Sequence, residues 1–112
     1  MDITTAGERA MRVRGLYHQL EERHEGSRWA ITDDMLGLVN DVGALGRLVM
    51  AAEGRWVPDG DLAEQTAGKL AECLWWVLVL ADRLEIDVDD AFGRTLDRIE
   101  THLEASIARA ES

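Results

Sequence analysis

The chain is expected to be all-α, four helices in one bundle, and three observations point there. Proline occurs once, at Pro58. Apolar residues recur at spacings of three and four along most of the length, the period of a helix face. Capping residues and glycines fall where those runs begin and end. With 112 residues, the whole of 1–112 reads as a single domain, long enough for one core.

The first helix should run from about Thr5 to His24. Thr5 followed by Glu8 has the form of a capping box. Ala6, Ala10, Val13, Tyr17 and Leu20 make an apolar stripe, and Gly26 is placed to stop the helix. Thr32 is the expected cap of the second helix, with Asp33 and Asp34 favourable against its dipole. Met35, Leu38, Val42, Leu45, Val49 and Ala52 form its expected buried face. Gly37, Gly43, Ala44 and Gly46 also lie in it. An interior glycine costs about 1 kcal/mol relative to alanine, so small residues here suggest a close neighbour.

Gly54 to Gly60, with Pro58 inside, is the clear loop. Asp61 and Glu64 open the third helix, which ends near Leu84. After the tight Glu85-Ile86 link, Asp87 caps the fourth, whose expected buried side is Val88, Phe92, Leu96, Ile99, Leu103 and Ile107. Short links after the first and third helices would make each consecutive pair antiparallel neighbours.

The third helix carries Leu70–Ala81, in which eleven of twelve residues are apolar and the exception is Glu72. The run is too short and too well flanked by charge to span a bilayer. It reads as a helix buried on several sides, whose carboxylate must be paired, protonated or bound to metal. Trp75 and Trp76 point about 100° apart on such a helix. Either one ring packs inside the protomer and the other against a second copy, the preferred arrangement, or both lie among the helix's own neighbours.

Composition narrows the function classes. A net charge of −10 and a pI of 4.6 argue against a nucleic-acid duplex or an anionic membrane as partner. The only cysteine, Cys73, can form no internal disulfide and reads as a small buried hydrophobe in a reducing compartment. With no basic-then-apolar leader at the N-terminus, the expected location is cytoplasmic. Glu21 and His24 have the Glu-x-x-His spacing of di-iron bundles, but the motif occurs once, and with His18 and Glu22 they read as surface pairs. No Ser/His/Asp set, glycine-rich phosphate loop or Cys-x-x-Cys is present.

Leu38-Val39-Asn40-Asp41-Val42-Gly43-Ala44-Leu45 resembles the MazG-like motif, in which a helix reads leucine, two acids, an apolar residue, glycine, a third acid and leucine. Lys69-Leu70-Ala71-Glu72-Cys73-Leu74-Trp75-Trp76, then Leu80-Ala81-Asp82-Arg83-Leu84-Glu85-Ile86-Asp87, resembles the second helix and turn of that family. Over roughly Arg28 to Leu96 the chain is similar to the all-α nucleoside triphosphate pyrophosphohydrolases. Members of that superfamily cleave a (deoxy)nucleoside triphosphate to monophosphate and pyrophosphate with Mg²⁺. The resemblance implies a four-helix MazG-like bundle of antiparallel helices, completed by dimerisation into a homodimer or a dimer of dimers, with a nucleotide as ligand.

The motif has a physical sense. Acids three residues apart share a helix face. Two such pairs on packed helices present four carboxylates to Mg²⁺, which takes oxygen ligands and activates water. Here the expected acids fall on Asp41 and Ala44, with the preceding one at Asn40, and on Lys69 and Glu72. Asp41 and Glu72 are thus the candidate catalytic and metal-ligating pair, for one Mg²⁺ or Mn²⁺. Ala44 cannot bind metal and Lys69 has the opposite charge, so the cluster falls from about −4 to about −1.

The resemblance leaves two main readings. In the first, the chain is a nucleotide pyrophosphohydrolase-type protein with at most weak metal-dependent activity. Lys69, Arg28, Arg47, Asn40 and Arg55 would then meet the ligand, and Trp29 or Trp56 would stack on its base. In the second, it is a catalytically inactive binding or assembly module, and Lys69 pairs internally with Asp41 and Glu72 in place of the metal. A different reaction with Asp41 or Glu72 as general base is a third reading, and it requires a pocket exposing those carboxylates.

Overall fold

The computed structural model describes residues 1–55 and 60–111. Trp56 and Pro58 lie outside the described residues. The fold is all-α, with four helices in contact as a bundle: α1 (Ile3–Glu25), α2 (Ile31–Ala52), α3 (Leu62–Arg83) and α4 (Val88–Glu111). No strand occurs among the described residues.

Helix ends follow local chemistry, with two corrections. Asp2 rather than Thr5 caps α1, its carboxylate accepting the Thr5 N–H at 2.7 Å, so the helix starts two residues earlier than the capping-box pattern implied. α2 starts at Ile31, which places Thr32 inside the helix. Asp33 accepts the Ala30 N–H at 2.8 Å, the returning half of a capping box. Gly26 ends α1 in the left-handed region at φ 75. Asp61 and Asp87 accept the N–H groups of Glu64 and Asp90, both at 3.1 Å, as expected for caps. The link after α3 is tight because Glu85 turns left-handed, φ 59, which lets the Ile86 N–H reach the Ala81 carbonyl at 2.8 Å.

α3 is the centre of the molecule. α2 runs antiparallel along it, since Asp34 meets Arg83 while Asp41 meets Lys69. α1 packs on α3 as well, and the consecutive pairs α1/α2 and α3/α4 scarcely touch. The expectation of neighbours across the first and third links fails because α3 is apolar over most of its circumference, so α1 and α2 both pack on it rather than on each other. The buried cluster is Ala10, Leu78 and Val79, with Ile3, Trp75 and Val88 packed around it.

Both tryptophans face neighbours within the protomer. Trp75 lies against α1, its Nε1 donating to the Ala10 carbonyl at 3.3 Å, and Trp76 turns toward α2. Gly37 permits the second contact, because a Cβ there would come within 2.5 Å of the Trp76 indole. Gly43 and Gly46 face open space, so of these three only Gly37 marks a close approach.

The α2 face against α3 is rotated from the expected one. Asp34 and Ala51 are buried, with Leu38, Asp41, Ala44 and Leu45 half-buried between them. Met35, Val42, Val49 and Ala52, expected inside, are exposed. α2 is apolar on its outer side too, and by length and composition alone it could cross a membrane. Its two inner aspartates are instead held by charged side chains of α1 and α3. No residue of α4 is buried; Phe92, Leu96, Ile99, Leu103 and Ile107 are 45–58% exposed. Its amphipathic stripe is present as expected, but no other described element of the chain covers it.

Candidate functional site

Antiparallel packing sets Asp41 of α2 level with Lys69 and Glu72, which share one face of α3. Lys69 Nζ donates to Asp41 Oδ1 at 3.2 Å and to Glu72 Oε2 at 2.8 Å. Trp76 Nε1 donates to the other oxygen, Asp41 Oδ2, at 2.7 Å. The bond from Glu72 raises the Lys69 pKa most, burial opposes it, and Asp41 adds to the rise. Lys69 is therefore a firm ammonium. The Glu72 side chain is 54% exposed, so the carboxylate expected inside sits at the rim while Asp41 is the inner partner. Cys73 is half-buried beside it.

The other candidates are scattered. Asn40, Arg47 and Arg55 are exposed, and Arg28 pairs with Glu22 at the surface. These donors do not suit a pair of divalent ions: both Asp41 oxygens already accept N–H groups, an ammonium lies between the acids, and Ala44 offers no oxygen. Among the described residues no three His, Cys, Asp or Glu side chains are grouped to hold a metal ion.

A second network, not anticipated from the sequence, ties three helices together. Asp34 is 0% exposed and accepts from Arg14 at 2.9 Å and from Arg83 at 2.6 Å. Arg14, 1% exposed, also donates to Glu21 at 2.8 Å and lies 5.8 Å from the Trp29 ring. Glu21 accepts the Trp29 N–H at 2.6 Å. Asp34 is thus a buried counter-ion rather than a dipole-facing acid, and Glu21 is no surface residue. The available signal was that Arg14 falls one turn beyond Ala10 on α1, and Arg83 one turn beyond Val79 on α3.

His18 sits beside this network with its Nε2 buried and without a hydrogen-bond partner among the described residues. Burial, then the Arg14 cation, hold its pKa below the ordinary 6.5 against the pull of Glu21. A group that binds its proton less readily when folded gives stability that is complete above its unfolded pKa and lost as pH falls toward the folded one. Glu21 extends the loss into more acid solution: burial raises its pKa, but the bonds from Arg14 and the Trp29 N–H prevail and hold it below 4.5. Urea titrations at about pH 7.5 and about pH 5.5 should show a loss of stability that His18→Gln reduces. An equal loss in both proteins would remove His18 as its source.

Between the two networks opens a cleft of about 560 Å³, within the range of small-molecule sites. Trp29, Trp75, Trp76 and Tyr17 line it, and the carboxylates of Glu21, Glu25, Asp41 and Glu72 border it.

Compared with known proteins, the chain matches no family model, no curated protein and no solved structure. The likeness to MazG-like proteins rests on the two quoted motifs.

Proposed function

We propose that this chain is a non-catalytic helical binding and assembly module of MazG-like type, in which an internal ion pair stands where that family holds metal. The observation that carries the reading is Lys69 Nζ bonded to both Asp41 and Glu72. Alanine at position 44, on the same side of α2, supports it further. The open stripe of α4 favours assembly with a second copy.

A thermal-shift matrix tests the proposal. A ligand that binds only the native state must raise Tm, so Mg²⁺ or Mn²⁺ with nucleoside triphosphates should leave the parent unmoved. The double variant Ala44→Glu, Lys69→Glu should gain a shift, about 2.7 kcal/mol of stabilisation at a hundredfold excess over Kd. A metal-plus-nucleotide shift in the parent counts directly against the proposal.

A weak hydrolase is the second reading. It is favoured by Asp41 and Glu72 bordering one open cleft. Its test is pyrophosphate release from triphosphates with either metal; no turnover above a Glu72→Ala control removes it.

A further inference from the structure

The cleft between α1, α2 and α3 has walls and a rim of different chemistry. Its wall is a continuous series of rings: Tyr17 to Trp75 at 5.5 Å, Trp75 to Trp76 at 4.5 Å, and Trp76 to Trp29 at 6.2 Å between centroids. Its rim is acidic. Glu25 makes no hydrogen bond or ion pair among the described residues, and Glu72 shares its one cation with Asp41.

The cleft is lined by the carboxylates of Glu21, Glu25, Asp41 and Glu72 and by the guanidinium of Arg14, and Lys69 bridges Asp41 and Glu72, four negative charges against two positive. A bare phosphate or carboxylate would be repelled there. A neutral apolar molecule would use the rings and leave the rim unused. An inorganic divalent ion would have to displace Lys69 and would gain nothing from the rings. A cation carried on an apolar body meets both surfaces, since ring faces attract positive charge and accept methyl groups.

We infer that this cleft binds a small organic cation, an alkylated or quaternary ammonium, with its methyl groups against the rings and its charge toward Glu25 and Glu72. The inference rests on the reading that Lys69, not metal, holds Asp41 and Glu72 together.

Calorimetric titration of the full chain in EDTA with choline and with its neutral isostere 3,3-dimethylbutan-1-ol tests it. Choline should bind about tenfold tighter than the alcohol, and the double variant Glu25→Gln, Glu72→Gln should lose about that factor. Trp29→Leu should weaken choline while the urea midpoint identifies any variant that has lost its fold. Equal binding of alcohol and choline, no binding of either, or an unchanged affinity in the carboxylate double variant would overturn the inference. Replacing EDTA by Mg²⁺ separates the two claims. If the ion-pair reading fails, Mg²⁺ displaces bound choline; if the inference alone fails, choline binds in neither buffer.

Discussion

Asp34→Ala is expected to destabilise the protein by about 3–5 kcal/mol, because it strands a buried guanidinium. Arg14 is 1% exposed and would keep Glu21 as its one carboxylate partner among the described residues. Arg83, with a quarter of its side chain exposed, can turn to water and softens the loss toward the lower bound. The change matches much of the stability of a small domain, roughly 5–15 kcal/mol in total, so the variant should be close to unfolding at room temperature. Asp34→Asn retains an acceptor and the shape and should fall between the two. Urea denaturation of the three proteins gives the order. A loss below about 1 kcal/mol in the alanine variant would mean that water reaches the network and the site is not closed.

A dimer at micromolar concentration is the second large expectation, reduced to a monomer by Ile99→Glu with Leu103→Glu. Phe92, Leu96, Ile99 and Leu103 follow spacings of four, three and four, the seam of a helix that packs against another helix. An apolar groove of about 380 Å³ joins the start of this seam to Leu74, Val77 and Leu78 of α3. The α4 stripe with Leu74 and Val77 is 40–58% exposed residue by residue, an apolar face open for a partner to cover. An exposed apolar face that continues from one helix to the next is the kind that marks an interaction site. A second copy presents the same helix and the same groove, so a twofold arrangement can cover both at once. Sedimentation velocity decides the matter, with a protein-concentration-dependent Tm as corroboration. A monomer at tens of micromolar, or a double variant still dimeric, would assign the stripe another role.

The four helices were legible because their ends carry local chemistry: Gly26, Asp61 and Asp87 act at the positions their residue types suggest. The packing faces were less so. Periodicity reports which side of a helix is apolar, not what covers it, and α2 is apolar on two sides. The stripe through Met35, Val42 and Val49 therefore has the period of an inner face although Gly37 and Asp41 mark the true contact. Spacing on α3 places Lys69 and Glu72 on one face, but that Asp41 meets them was implied only by the resemblance of the two motifs. The Asp34 hub was not legible, because it joins residues 14, 34 and 83, and no local pattern declares that an arginine will be dry.

The elbow at Leu84–Asp87 has a consequence for how such chains would join. α4 has 24 residues, a rod of about 36 Å, and little besides this bend anchors it. A rotation of about 10° at Glu85 would carry the far tip about 6 Å sideways. Edits to those few residues should therefore re-aim the arm without melting the domain, changing which copies can clasp each other while the interior stays as it is.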